Sequence, residues 1–377
     1  MASVDLDLDL RLRELPPGTL HDLLVKIAEI DEFKGWWNGR DRTDATNLAR
    51  RKTRVVKISA AASAEIDRRD SSRTNAAGHP RAIAHRESED RDRAHITGYA
   101  ELLSCVFDHH ADMEFSQHVI FQFHVALMKY SATDQRQRGR YKNARDRITP
   151  DLRRSIESIA LRPADPLVIP REMEAVTEWA ATQLASSEFH PLLVIAGFVL
   201  EFLAIRPFVE ANGRMSRILT TFLLLRCGYA YIPYASLEKV IADRRTEYHL
   251  ALRRGQVNRY LPRPDIAPWL RAFLDVLRAH TVELRAAIEG RPGAHLLSMN
   301  QLGVLELLDR HREVTNRLAC HELGISKDTA KQVLNRLLAL NMIRRLGSGR
   351  AIRYQLRLGS QTGSPTGKLP PAQGNSW

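Results

Sequence analysis

The chain has 377 residues, an apolar fraction of 44%, a net charge of +12 and a pI of about 9.9, which gives room for two or three globular domains and favours an anionic partner such as nucleic acid. Cys105, Cys227 and Cys320 stand alone, which excludes a thiolate metal site of regular spacing and suits reduced packing residues. The start alternates Asp and Leu from Asp5 to Leu10 with no basic-then-apolar leader, and no apolar run reaches membrane-spanning length, so a cytoplasmic protein without membrane contact is expected.

Residues 1–66 read as an N-terminal helical segment, with Trp36 and Trp37 following Gly35 in a turn. Residues 67–93 are dense in Arg, Asp and Ser with little apolar content and read as a flexible polar insertion. Helices dominate from Ala94 to Leu252, so the fold class is mainly α with a core over 94–255. His124 falls within the apolar run Phe121–Leu127, where a core histidine is expected.

The most informative stretch is Arg206-Pro207-Phe208-Val209-Glu210-Ala211-Asn212-Gly213-Arg214-Met215-Ser216-Arg217. Pro191 to Ile205 is an apolar helix by pattern, and Pro207 stops it because proline lacks an N–H and clashes with the preceding turn. Met215 to Cys227 is a second apolar run, stopped at Gly228. Asn212 and Gly213 therefore lie near a helix N-terminus, where free N–H groups and the dipole attract phosphate. Arg214 and Arg217 are three apart, on one helix face, and can fork onto phosphate oxygens. Glu210 can hold Mg²⁺ together with substrate phosphates. Phe208 is the apolar pin of the loop. The alternative is a plain Asn-Gly turn followed by a solvated pair of arginines.

Residues 256–293 read as a connecting helix (Trp269 to Glu289) and a Gly-Pro linker. In 294–358, helices over Leu302–His311, Asn316–Leu323 and Lys327–Leu340, with Ser326 as an N-cap, precede a hairpin of Met342–Leu346 and Arg350–Leu356. That order reads as a winged helix-turn-helix. Lys327, Lys331, Gln332 and Asn335 would face a DNA groove, and Arg344, Arg345, Arg350 and Arg353 would meet the backbone. The alternative is a protein-interaction module of the same shape. Residues 359–377 have the composition of a disordered tail.

The twelve-residue stretch resembles the signature of the Fic (Fido) family, His-Pro-Phe-x-Asp/Glu-Gly-Asn-Gly-Arg-x-x-Arg. Phe189–Leu193, Gly139-Arg140-Tyr141-Lys142, Ser236-Leu237-Glu238 and Glu247–Leu252 resemble its flanking elements, so the likeness covers roughly 95–255. The resemblance implies a helical core that binds ATP and transfers AMP to hydroxyls of a protein target. It implies Glu210 on Mg²⁺, Ala211, Asn212 and Gly213 around an anion hole, and Arg214 and Arg217 on phosphates. Ala62-Ser63-Ala64-Glu65-Ile66-Asp67-Arg68 resembles the family's inhibitory helix, with Ser63 and with Asp67 for the glutamate that pairs with the second motif arginine.

Two departures stand out. The family's base is histidine, and here it is Arg206, a guanidinium with no lone pair to accept a proton. Ala211 replaces the first glycine, which is harmless in a helical conformation and costs roughly 1 kcal/mol at positive φ. The expected protein is thus a nucleotide binder impaired in AMP transfer, joined to a winged helix for DNA. Left open are an active transferase with an unconventional base (His190, His124 and His249 being candidates) and a transcriptional regulator whose core only senses ligand or dimerises. A homodimer is a further expectation.

Overall fold

The computed structural model describes residues 8–40, 45–67, 81–131, 135–143, 164–257, 259, 264–289, 299–339, 343–347 and 352–356. It divides into Met1–Ile288 and Glu289–Trp377.

In the first unit the described helices are α1 (Leu8–Arg13), α2 (Pro17–Asn38), α3 (Ala45–Asp67), α4 (Arg81–His109), α5 (Gln117–Leu127), α6 (Ile169–Ser186), α7 (Pro191–Ile205), α8 (Asn212–Arg226), α9 (Leu237–Asp243), α10 (Arg245–Gln256) and α11 (Ala267–Ile288). Helix α7 is apolar all round and buried from Leu192 to Ile205, as a central helix must be. Its one charge, Glu201, accepts from Arg11 Nη1 at 2.7 Å and from Arg259 Nε at 2.6 Å, and Arg259 also reaches Glu172 at 3.1 Å. A carboxylate this deep is tolerated because two guanidiniums satisfy it. Helix α8 packs on α7, while α3 packs against α4 and α9 and touches α8.

Two elements differ from expectation. Helix α2 runs through Gly35 without a turn, and Trp37 is buried with its ring 4.9 Å from that of Tyr234. Burial of the tryptophan outweighs the roughly 1 kcal/mol that glycine costs inside a helix. Helix α4 begins at Arg81, within the stretch read as a polar insertion, so 81–93 are helical and 68–80 lie outside the described residues. A helix built largely of charged residues looks, in composition, like a linker.

The second unit contains α12 (Met299–His311), α13 (Asn316–Leu323), α14 (Lys327–Ala339) and an antiparallel pair, β1 (Ile343–Leu346) and β2 (Arg353–Leu356). The register sets Ile343 opposite Leu356 and Leu346 opposite Arg353. Val304, Leu307, Ala330, Leu334, Leu337 and Ile343 form its core. Ser326 Oγ accepts from Thr329 N at 3.1 Å, the expected N-cap of α14, and Gly324 at φ 61° makes the turn before it. Among the described residues no helix is long and apolar enough to cross a membrane.

Candidate functional site

Between α7 and α8 the chain forms a tight loop. Arg206 closes α7 in the left-handed region (φ 49°, ψ 63°), its N–H donating to Phe202 O at 3.0 Å. Phe208 is buried and stacks on His124, with ring centroids 3.9 Å apart. His124 Nδ1 accepts from Gly139 N at 3.0 Å, and burial pushes its pKa down to about 4, so it is a neutral packing residue. Asn212 Oδ1 accepts from Phe208 N at 3.0 Å and its Nδ2 donates to Phe208 O at 2.8 Å. The Asn212 side chain therefore ties the loop shut, which leaves its backbone N–H as the Asn212 donor not engaged by Phe208. The N–H groups of Asn212, Gly213 and Arg214, in the first turn of α8, have no intrahelical acceptor by position.

Ala211 sits at φ 64°, ψ 15° as the N-cap of α8. Of the two conformations weighed from sequence, the costly one is present. Its Cβ crowds the backbone by an amount worth roughly 1 kcal/mol or more.

Arg214 and Arg217 are both about 5% exposed. They converge on a single carboxylate: Asp67 Oδ1 lies 2.8 Å from Arg217 Nη2, and Asp67 Oδ2 lies 3.5 Å from Arg214 Nε. Ser63 Oγ accepts from Arg217 Nε at 3.1 Å and from Nη2 at 2.8 Å, while Ser63 O accepts from Nη2 at 3.2 Å. Ser63 and Asp67 are one turn apart on α3, so one helix face presents both acceptors. The shorter side chain of Asp67 still reaches Arg217, because α3 packs close enough to α8. Nearby, Tyr99 Oη donates to buried Glu238 at 2.7 Å and Ser59 Oγ donates to Ser236 Oγ at 2.8 Å, bonds that hold α3, α4 and α9 together beneath the site. Sequence patterning gave no sign of that polar layer.

Among the other histidines, His190 caps the far end of α7, accepting from Leu192 N at 3.3 Å and meeting Asp31 Oδ2 at 2.9 Å. It begins the helix that Arg206 ends, four turns away. His249 lies in the field of Arg245, Arg217 and Asp67, and burial lowers its pKa to about 4. Glu210 is half-buried on the loop. Among the described residues no three His, Cys, Asp or Glu side chains gather as a metal site. A single carboxylate still fits Mg²⁺ when phosphates supply the other oxygens.

In the second unit Lys327, Lys331, Gln332 and Asn335 are all exposed on α14, and Arg344, Arg345 and Arg353 are exposed on the strands. Arg353 Nη1 is paired with Glu313 at 3.0 Å, and Arg344 donates to Gln355 Oε1 at 2.8 Å. Arg350 lies outside the described residues.

Residues 114–224 match the model of the Fic/DOC family. Three solved structures align with the chain. A Fic family protein from Desulfovibrio desulfuricans G20 is 21% identical over 92% of this chain and 98% of its own, with a TM-score of 0.48. A Fic domain containing signaling protein from Bacteroides thetaiotaomicron VPI-5482 is 15% identical over 70% and 98%, with a TM-score of 0.52. Fic-1 (residues 134–508) from C. elegans is 18% identical over 75% and 77%, with a TM-score of 0.52. The loop, Arg214 and Arg217 fall inside the matched stretch, whereas Ser63, Asp67 and the second unit fall outside it. On the matched stretch and the shared helical fold, residues 114–224 make up a Fic/DOC domain inside a mainly α protein.

Proposed function

We propose that the first unit binds ATP with Mg²⁺ at the α7–α8 loop, that α3 restrains this binding, and that transfer of AMP to a protein hydroxyl is impaired. The observation that carries the reading is the convergence of two buried arginines on one carboxylate at the N-terminus of α8. Arginine pairs of this kind grip phosphate oxygens bidentately, and the helix N-terminus adds N–H donors. Asp67 stands where an anionic ligand group would stand, so it competes with a phosphate for Arg217. Glu210, beside the loop, would share Mg²⁺ with the phosphates.

Impairment follows from Arg206. A hydroxyl acceptor must give up its proton, and loss of a positioned base costs on the order of 10²- to 10⁴-fold. Neither His124 nor His190 can replace it: the first is locked under Phe208 and the second lies at the other end of α7.

For the second unit we propose a winged helix that binds DNA through Lys327, Lys331, Gln332 and Asn335 with Arg344 and Arg345. The exposed polar face of α14 and the net charge of +12 support this.

Calorimetry with ATP and Mg²⁺ tests the nucleotide site, and absence of binding up to millimolar nucleotide removes it. The Arg206→His variant tests impairment. Self-modification by labelled ATP that appears only in the variant supports the reading, and equal modification by the wild type refutes it.

A further inference from the structure

Ser59, Ser63 and Asp67 lie one turn apart along α3, and each carries a hydrogen bond to another element. Ser63 and Asp67 hold Arg217, while Ser59 reaches the N-cap of α9. Ser236 Oγ accepts from Lys239 N at 3.0 Å and from Ser59 Oγ at 2.8 Å, and its own hydrogen goes to Glu238 Oε2 at 3.4 Å. The other oxygen of Glu238, Oε1, accepts from Tyr99 Oη of α4 at 2.7 Å. Burial and the neighbouring carboxylate raise the Tyr99 pKa, so the phenol keeps its proton and stays the donor. Ser59, Tyr99, Ser236 and Glu238 are each 2% exposed or less. A carboxylate only accepts, so Glu238 draws the Ser236 hydrogen and leaves the Ser236 oxygen as the acceptor for Ser59.

Apolar packing around this chain of bonds is thin on the α3 side. The helix reads Ser-Ala-Ala-Ala-Ser-Ala from Ser59 to Ala64, with no large apolar side chain between Ile58 and Ile66. An alanine methyl gives far less hydrophobic hold than an isoleucine side chain. In this stretch, hydrogen bonds therefore set how α3 sits against α8 and α9.

We propose that Ser59, Ser236 and Glu238 form a buried latch that holds Ser63 and Asp67 over Arg217, so that α9 sets how strongly α3 restrains ATP. The inference rests on the nucleotide reading above and names what governs the restraint of that site. The three are positioning residues, acting through Ser63 and Asp67. Ser63 is about 6 Å along the helix from Ser59 and Asp67 about 12 Å, so a shift at the latch carries to both. The sign of the effect is distinctive. Ordinary damage to a core weakens ligand binding or leaves it alone, whereas opening this latch releases Arg217 and tightens it.

Calorimetry with ATP and Mg²⁺ compares the full chain as wild type, Ser59→Ala, Asp67→Ala and Ser63→Ala with Asp67→Ala. Ser59→Ala leaves the bond from Lys239 N to Ser236 in place, so α9 keeps its cap. It should tighten ATP binding by roughly three- to tenfold, less than Asp67→Ala does. Added to the variant that lacks both Ser63 and Asp67 side chains, it should change affinity by less than about twofold, because the contacts it positions are gone. Amide hydrogen exchange without nucleotide is the second measurement. Residues 59–67 should exchange about tenfold faster in Ser59→Ala and in Glu238→Gln, with α7 unchanged.

Unchanged or weaker ATP binding by Ser59→Ala, where Asp67→Ala binds more tightly, overturns the latch and leaves the nucleotide site and its restraint standing. Tightening that persists without Ser63 and Asp67 overturns it too. Equal acceleration of exchange in α7 would show that these bonds support the whole core rather than α3, and the latch falls. Absence of ATP binding in every variant removes the nucleotide reading and the latch with it.

Discussion

Arg217 of α8 is held by one face of α3, with Ser63 Oγ and Asp67 Oδ1 each 2.8 Å from its Nη2. A phosphate seeking Arg217 must displace a charge-assisted bond worth about 1.5–3 kcal/mol. Asp67→Ala should therefore tighten ATP binding by roughly ten- to a hundredfold. Titration calorimetry reads this directly, and an unchanged affinity would remove α3 from any inhibitory role.

Ala211→Gly should stabilise the first unit by about 0.5–1 kcal/mol. Removing a Cβ at φ 64° relieves more strain than the added unfolded-state freedom of glycine costs. Chemical denaturation would show a higher midpoint with an unchanged slope, and a lower midpoint would mean that the left-handed conformation carries no strain.

Asn212→Ala should cost about 2–3 kcal/mol and abolish nucleotide binding, because both polar groups of Phe208 lose their side-chain partner inside the core. A variant that unfolds like wild type and still binds ATP would show that the loop holds itself.

Acid should destabilise the first unit. Burial lowers the pKa of His124, His249 and His280 to about 4. Between pH 6.5 and 4 the unfolded chain binds more protons than the folded one, so stability rises with pH in that window and falls as pH drops through it. Thermal melts from pH 7 to 4.5 should show this, with a smaller drop in His280→Gln. A Tm flat over the window would contradict neutral burial of these rings.

The DNA binding proposed for the second unit should weaken steeply with salt. Lys331→Ala should weaken it, while Arg353→Ala should do little because Glu313 already neutralises that guanidinium. Gel-shift titrations at two salt concentrations compare them, and an equal loss from both variants would sink the proposed orientation.

Much of this site was legible in the chain. The apolar run Pro191–Ile205, the stop at Pro207 and the second run after Gly213 placed the loop between two helices, and the structure has them there. Ser63 and Asp67 were readable as candidates only through the resemblance of Ala62–Arg68 to the family's inhibitory helix. The φ of Ala211 was not readable, since alanine's local preference argues for a helix and only closure of the loop by Asn212 forces the left-handed form. Trp36 and Trp37 misled for a similar reason: Gly35 marks a turn locally, and burial of Trp37 decides otherwise.

The sequence by itself determined the helical class and the run of residues that could grip phosphate, because both depend on side chains a few positions apart. Tertiary structure alone decided which partner each charge received. Asp67 meets Arg217 across 150 residues, and the Lys142 N–H meets Pro207 O across 65, because α3 and the Gly139–Lys142 segment pack on the loop. Such encounters depend on how buried surfaces fit, which no local periodicity encodes.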